Sequence, residues 1–157
     1  MGKEIERKYL VDLEKWKGIE KPAGQHYRQG YLVTDPQKTI RVRLTPTQGF
    51  LTIKGITTGA SRLEYEYEIP IAEAKELLDN FAVSELSKIR YHIEFKHHTW
   101  EVDEFLGDNA GLFIAEIELN SEDEAFEIPE WATEDVTGEK QYYNANLTIH
   151  PYKNWQR

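Results

Sequence analysis

Apolar and charged side chains alternate along residues 3–11, which read KEIERKYLV. This period of two predicts a β-strand, because successive strand residues point to opposite faces. One face of the strand is mainly apolar, and the other carries Glu4, Glu6 and Lys8. Carboxylates two residues apart on one face lie about 6–7 Å from each other. They repel unless a cation lies between them, and oxygen clusters of this kind bind hard divalent cations.

The same alternation recurs along the chain between turn signals such as Asp35-Pro36. It predicts eight strands, at residues 3–11, 25–34, 38–46, 49–55, 61–69, 86–95, 98–105 and 112–120. Eight strands in a short chain favour a closed β-barrel, since closure removes exposed strand edges. The predicted fold class is therefore mainly β, with some α-helix.

Three segments depart from the strand period. Residues 71–80 place alanine and leucine at helical spacing, which predicts a helix between two strands. Ser121 stands three residues before Glu124, as in a capping box, so a second helix is predicted over 121–126. The tail from 139 to 155 is predicted to be helical in part, with Pro151 limiting one piece.

Composition places the chain among globular proteins of one domain. Its 157 residues are 39% hydrophobic, and no linker or repeat divides them, so residues 1–157 are predicted to form a single domain. The formal net charge of −9 disfavours nucleic acid or an anionic membrane as a partner. The absence of cysteine excludes disulfides and thiolate metal sites. Without a leader-like or membrane-spanning apolar stretch, we expect a cytoplasmic protein.

Charges on the polar strand faces are sorted by sign, because each strand after the first carries one sign there. The cations are Lys8, Arg41, Arg43, Lys54, Lys88 and Arg90, and the carboxylates include Glu4, Glu6, Glu64, Glu66, Asp103, Glu116 and Glu118. An open sheet with exposed cross-strand ion pairs, each worth about 0–1 kcal/mol, is one explanation. In a closed barrel these faces would instead line an interior that needs water, metal ions and a highly charged ligand.

A polyphosphate is a ligand that would use both signs. Arginine and lysine bind phosphate oxygens, and carboxylates hold Mg²⁺ or Mn²⁺, which bridge to phosphate. No glycine-rich P-loop is present in the sequence. His97 and His98 are adjacent on a predicted strand and would face opposite ways, which disfavours a shared metal. Tyr27 and Tyr31 are candidates for gripping a base or thiazole, should the ligand carry one.

The run Glu4-x-Glu6-x-Lys8 resembles the ExExK signature of CYTH domain proteins, the triphosphate tunnel metalloenzymes. Later segments resemble the family in the same order: Arg41-x-Arg43, Lys54 before Gly55, Arg62 with Glu64-x-Glu66, Lys88-x-Arg90, Asp103, Glu116-x-Glu118 and Tyr142-Tyr-Asn144. The resemblance implies an eight-stranded antiparallel barrel that forms a tunnel, with helices packed outside. It also implies a linear triphosphate ligand and a divalent metal, usually Mg²⁺ or Mn²⁺.

The resemblance further implies roles for individual residues. The catalytic set would be Glu4, Glu6, Lys8, Glu116 and Glu118. The phosphate-binding set would be Lys8, Arg41, Arg43, Lys54, Lys88 and Arg90, with Lys140 able to reach the tunnel mouth. The metal-binding set would be Glu4, Glu6, Glu64, Glu66, Asp103, Glu116 and Glu118, with Asp103 in a supporting position.

The compact chain looks most like the tripolyphosphatases of this family, so we expect hydrolysis of triphosphate to diphosphate and phosphate. One alternative is a class IV-type adenylate cyclase, or a thiamine or nucleoside triphosphatase, on the same scaffold. Another is a module that binds polyphosphate without turning it over. A homodimer through an apolar outer face of the barrel is compatible with the sequence but is not specified by it.

Overall fold

The computed structural model describes residues 2–35 and 37–155. The predicted turn at Asp35-Pro36 thus lies partly outside the described residues. The strands are β1 Lys3–Val11, β2 Gln25–Val33, β3 Lys38–Leu44, β4 Gly49–Gly55, β5 Ser61–Ile69, β6 Ser84–Phe95, β7 His98–Phe105, β8 Phe113–Glu118 and β9 Ala132–Asp135. The α-helices are α1 Leu13–Lys17, α2 Ile71–Phe81 and α3 Asn144–Ile149. Short 3₁₀ turns occupy Gly107–Asn109, Lys140–Tyr142 and Tyr152–Asn154.

The first eight strands close into an antiparallel barrel, which confirms the predicted fold class. Their order is β5-β4-β3-β2-β6-β7-β8-β1, and β1 returns to pair with β5 through Glu4 and Arg62. Each predicted strand is present, with its bounds within two residues of the expected ones. Strand β1 has three partners. It pairs with β5 at its first residues, with β8 along its middle and with β9 at its last residues.

Apolar side chains on the outer barrel face are covered by helix α2 along one side. Ala74 and Leu78 of α2 are buried against Val42 of β3. The helix lies close to the sheet because a Cβ atom at Gly49 would stand only 2.7 Å from the Cβ of Ala74. The predicted helix over residues 71–80 is therefore confirmed, and it lies outside the barrel as expected.

An aromatic cluster covers another part of the outer face. Trp100 of β7 meets Tyr9 at a ring-centroid distance of 5.5 Å and Trp131 at 5.9 Å, both edge to face. Trp16 of α1 also contacts Trp131, at a ring-centroid distance of 5.4 Å. These rings are buried on the outside of the barrel. They therefore serve packing and do not form a base-stacking platform in the interior.

Apolar side chains also fill one end of the barrel interior. Leu10, Leu86, Phe105 and Ile114 lie on the inward strand faces, each two residues from a charged inward residue, and they pack with Leu147 of α3. The C-terminal segment thereby closes this end, which we call the barrel floor. The charged part of the interior begins directly above the floor.

The helix predicted over residues 121–126 is absent, and this prediction was wrong. The Glu124 N–H donates to the Ser121 carbonyl at 3.2 Å, which makes a single turn. The Ser121 hydroxyl donates to the Asp123 carboxylate and so caps no helix. Phe126 packs with the aromatic cluster, and residues 124–129 have no regular secondary structure. The tertiary contact of Phe126 therefore outweighs the local capping signal.

Other differences concern short elements. Helix α1 has five residues and β9 has four, too few to give a recognisable period, so neither was predicted. The tail is partly helical, as predicted, and Pro151 stands at the start of the last 3₁₀ turn. Within residues 2–35 and 37–155, no helix has the length and apolar character needed to cross a membrane.

Ile69, at one end of the outer face of β5, packs against the cluster at α2, whereas the middle part of that face is exposed. Leu63 and Tyr67 are 59% and 55% exposed there, and Tyr65 between them is 47% exposed. An exposed apolar face of this kind is what a homodimer would use. Dimerisation therefore stays a prediction.

Candidate active site

The barrel encloses a cavity of about 460 Å³ above its apolar floor. Every one of the eight barrel strands contributes at least one side chain to its lining. The predicted site residues that line it are Glu4, Glu6, Lys8, Arg41, Arg43, Lys54, Glu64, Glu66, Lys88, Arg90, Glu116 and Glu118. Closure thus gathers the sorted charges into one interior space, and the alternative of an open sheet with exposed ion pairs is excluded.

One wall of the cavity carries cations that are incompletely neutralised. Arg43 contacts a carboxylate only at 3.5 Å, on Glu66, which it shares with Arg41. Burial, together with the neighbouring Arg41 and Arg90, lowers the pKa of Arg43 to about 10. The Nε atoms of Arg41 and Arg43 are buried without a hydrogen-bond partner in the described part of the chain. This wall therefore has donors and positive charge available for an anion.

Lys88 and Arg90 are held in place by Asp103 beneath them. The Lys88 ammonium donates to Asp103 at 2.7 Å, and the Arg90 guanidinium makes two bonds to the same carboxylate at 2.7 and 2.9 Å. Asp103 is completely buried and is not part of the cavity lining. Its position thus differs from that of the other predicted metal ligands, because both of its oxygens are already occupied by cations.

Tyr27 lies between two of these cations. The guanidinium groups of Arg43 and Arg90 each stand 5.3 Å from the centre of its ring, within the range of a cation–π contact. Tyr27 does not line the cavity, whereas Tyr31 does. Tyr27 therefore supports the arginines from behind, and only Tyr31 of this pair is placed to touch a ligand.

Two carboxylates of the opposite wall are neutralised by lysine or arginine. Glu4 accepts from Lys54 at 3.1 Å and from Arg62 at 3.2 Å. Burial opposes its ionisation, but these cations outweigh burial and lower the pKa of Glu4 to about 2. Glu116 accepts from Lys8 at 2.5 Å, and Lys8 and Arg90 likewise hold its pKa well below the ordinary value despite burial.

A second group of carboxylates has raised pKa values, because burial and mutual repulsion outweigh any nearby cation. Glu6 and Glu118 are direct cross-strand partners between β1 and β8. Burial and the neighbouring Glu116 raise the pKa of Glu6. Burial and the nearby Glu4, along with other carboxylates, raise the pKa of Glu118 from 4.5 to about 7. Burial also raises the pKa of Glu64. A bound cation would relieve this repulsion.

The carboxylates fit a divalent metal in their chemistry, since Mg²⁺ and Mn²⁺ take oxygen ligands. As the side chains stand, no three or more acidic or histidine side chains among residues 2–35 and 37–155 are close enough together to hold one ion. Several of them are engaged by lysine or arginine instead. The donor set fits the metal implied by the sequence. Glu6 and Glu64 each pair with one lysine, at 3.0 and 3.4 Å, whereas Glu118 has no ion pair among residues 2–35 and 37–155.

The raised pKa of Glu118 gives a prediction for stability. Because the folded chain holds this proton more tightly than the unfolded chain, the resulting stabilisation is lost as pH rises from about 4.5 to about 7. We expect Glu118→Gln to raise the melting temperature of the metal-free protein at about pH 8, where the carboxylate is charged. Near pH 4 the effect should be small, because Glu118 is already protonated there.

Thermal unfolding in the presence of EDTA measures this effect. The matched control is Glu76→Gln, at an exposed position beyond the first turn of α2, and it should change the melting temperature little at either pH. An equal shift for Glu118→Gln at both pH values would contradict the electrostatic explanation.

Sequence reasoning missed several residues of the site. Arg62 was noted only as part of a motif, yet it lines the cavity and pairs with Glu4. It shares the inward face of β5 with Glu64, so the expectation of one sign of charge on that face was wrong. Thr52 is fully buried and donates its hydroxyl to Glu66 at 2.8 Å. Asn144 lines the cavity from α3; like Arg62 it was noted only as part of a motif, with no role assigned to it. Lys140 lines the cavity, in agreement with its expected reach.

The histidines lie away from the cavity. His97 adopts a positive φ of 70° in the turn between β6 and β7, and His98 contacts Glu124 at 2.7 Å. Neither residue belongs to the cavity lining. The expectation that both histidines lie on a strand was wrong, because His97 belongs to the turn and only His98 begins β7. That they do not share a metal stays a prediction.

Comparisons with known proteins agree with this architecture. The chain is 50% identical over 157 residues to an inorganic triphosphatase of Acetivibrio thermocellus, with 99% of each protein covered. It is 36% identical over 155 residues to an inorganic triphosphatase of Nitrosomonas europaea, with 93% of this chain and 97% of that protein covered. The crystal structure of an inorganic triphosphatase matches with a TM-score of 0.63 at 32% identity, covering 93% of this chain and 94% of that one. Residues 2–152 match the model of the CYTH domain, and the chain belongs to the CYTH domain family.

Proposed function

We propose that this protein hydrolyses inorganic triphosphate to diphosphate and phosphate. The observation that carries the proposal is the enclosed cavity in which one wall offers cations and another offers surplus carboxylates. The naming of two relatives as inorganic triphosphatases, which cover nearly all of the chain, supports the same substrate. The activity is that of a phosphoanhydride hydrolase.

The cationic wall would bind the phosphate groups. Arg41 and Arg43 have unpaired buried Nε donors, and Arg43 also has a lowered pKa that a bound anion would restore. Burial also lowers the pKa of Lys88, to about 7, although the nearby Asp103 carboxylate acts to raise it. Phosphate oxygens accept from such groups through charge-assisted hydrogen bonds. Lys8, Lys54 and Arg90 complete the proposed phosphate-binding set.

The carboxylate wall would hold Mg²⁺ or Mn²⁺, and Glu6, Glu64 and Glu118 are the best available ligands. Glu4, Glu66 and Glu116 stand beside them in the lining and complete the proposed set. A divalent ion in this position supplies charge neutralisation for phosphate oxygens and lowers the pKa of a bound water. Asp103 is better explained as the residue that positions Lys88 and Arg90, because its oxygens already accept their hydrogen bonds.

The reaction needs a water molecule in line with the bond that breaks. Water oxygen bonds to the terminal phosphorus, the bond from that phosphorus to the bridging oxygen breaks, and diphosphate leaves. The arginines and lysines would hold the phosphate groups in that orientation and neutralise the charge on the leaving diphosphate. The carboxylates of Glu6 and Glu118, which are cross-strand partners, would take up the water's proton.

Incubation with tripolyphosphate, ATP and thiamine triphosphate tests the proposal. With Mg²⁺ or Mn²⁺ we expect diphosphate and phosphate from tripolyphosphate at the highest rate, and no product when EDTA is added. Separation of the products by anion exchange identifies them. Cyclic AMP from ATP would instead favour a cyclase. Binding of tripolyphosphate without any product would favour a module that only recognises polyphosphate.

A further inference from the structure

Asn144 is the first residue of α3 and reaches the cavity from the C-terminal segment. Three residues further along the helix, Leu147 is fully buried in the apolar floor of the barrel. Burial of Leu147 anchors the helix to the barrel floor and holds Asn144 beside the cationic wall. Its side chain is partly exposed within the cavity.

The amide oxygen of Asn144 accepts two hydrogen bonds from the barrel. The Lys88 ammonium donates to it at 2.8 Å, and the Gln29 amide nitrogen donates to it at 3.0 Å. A lysine ammonium has donors only, so the Asn144 amide must turn its oxygen towards Lys88. Its NH₂ group must then point away from Lys88. The donors of Lys88 and Gln29 therefore fix which end of the amide faces them.

The Asn144 NH₂ group has no hydrogen-bond partner among residues 2–35 and 37–155, although it belongs to a residue of the cavity lining. A side-chain amide carries two N–H donors on this group. Lys88, to which Asn144 is bonded, lies with Arg90 on the cationic wall. An uncharged donor held rigidly next to cations suits an anion with several acceptor oxygens.

We propose that Asn144 is a substrate-binding residue, whose Nδ2 donates to a phosphate oxygen of the triphosphate while its Oδ1 holds the Lys88 ammonium. This inference rests on the proposed function, because it assigns a further contact to the same substrate. It makes the C-terminal segment part of the phosphate-binding site. A triphosphate would therefore be bound by the strands and by α3 together.

A purely structural role for Asn144 is the competing explanation, in which its only task is to anchor α3 to the barrel. The variant Asn144→Asp separates the two. A carboxylate keeps acceptors for Lys88 and Gln29, so an anchor would be preserved or strengthened. It replaces the NH₂ donor by an oxygen that repels phosphate, so substrate binding would be weakened. For Asn144→Asp, an anchoring role therefore predicts unchanged affinity, whereas a substrate-binding role predicts weaker binding at unchanged or higher stability.

The experiment measures KM and kcat for tripolyphosphate, its binding by calorimetry in EDTA, and the melting temperature. For Asn144→Asp we expect KM and the dissociation constant to rise at least about tenfold, as for a lost hydrogen bond to a charged group. The melting temperature should be unchanged or higher. Asn154→Asp is the matched control, because it makes the same charge change at an exposed residue outside the cavity and should bind like the wild type.

Two outcomes would overturn the inference. One is an Asn144→Asp protein whose KM and binding stay within twofold of the wild type. The other is a loss of affinity in Asn144→Ala, which also removes the acceptor, with none in Asn144→Asp, because this pattern indicates an anchor alone. Should Asn144→Asp not fold, an Asn144→Ala protein whose KM and binding stay within twofold of the wild type would overturn the inference. Failure of the wild type itself to bind or hydrolyse tripolyphosphate would instead reject the proposed function.

Discussion

Replacing Glu6 with Gln is expected to lower kcat for tripolyphosphate by about 10²–10⁴-fold while the protein stays folded. Glu6 lines the cavity opposite Glu118, and burial and its carboxylate neighbours raise its pKa. Loss of its charge removes a proposed metal ligand and proton acceptor. The fold should tolerate the change, because Gln keeps an oxygen that can accept from Lys8, as Glu6 does at 3.0 Å. Steady-state hydrolysis and thermal unfolding measure the two effects.

Glu4→Gln should also abolish turnover, but its effect is less specific to the metal. Glu4 neutralises both Lys54 and Arg62, so its loss also leaves two cations uncompensated. Glu73→Gln, an exposed residue of α2, is the matched control and should retain full activity. If hydrolysis survives both Glu4→Gln and Glu6→Gln, the assignment of these carboxylates to the metal is wrong.

The largest effect on stability is expected for Asp103→Asn. Asp103 is fully buried and accepts three hydrogen bonds from Lys88 and Arg90, at 2.7 to 2.9 Å. Removing one partner of a buried ion pair leaves charge without compensation and costs about 3–5 kcal/mol. We expect the free energy of unfolding to fall by about this amount in chemical denaturation of the metal-free protein.

The control for Asp103→Asn is Asp108→Asn. Asp108 forms an exposed ion pair with Lys153 at 3.0 Å, so its loss should change stability by less than about 1 kcal/mol. The comparison also separates two roles of Asp103. A residue that positions cations is needed without metal, whereas a mere metal ligand would leave the metal-free protein as stable as the wild type. Unchanged stability in EDTA would therefore contradict the positioning role.

Much of the site could be predicted from the strand period. The alternation assigned Lys8, Arg41 and Glu116 to the polar strand faces, and all three line the cavity. Strand faces follow from local geometry, because neighbouring side chains must point in opposite directions. The resemblance to the CYTH domain added the triphosphate, and the comparisons confirm the family.

Residues whose role depends on distant neighbours could not be predicted in this way. Asp103 shares the polar face of β7, yet its cross-strand partner Arg90 and the neighbouring Lys88 occupy both of its oxygens, so it lies behind the cavity. The signal at Ser121 for a helix failed because Phe126 is held by rings from other strands. In both cases a contact between segments far apart in sequence overrides the local preference.

By itself, the sequence determined which side chains share a strand face and which sign of charge each face carries, since both follow from a period of two residues. Only the tertiary structure decided that these faces enclose one cavity, because enclosure requires β1 to pair with β5 across about 60 residues of chain. It also brought Asn144 to Lys88, over a separation of 56 residues. Burial and neutralisation of a charge depend on such neighbours in space, and no local pattern specifies them.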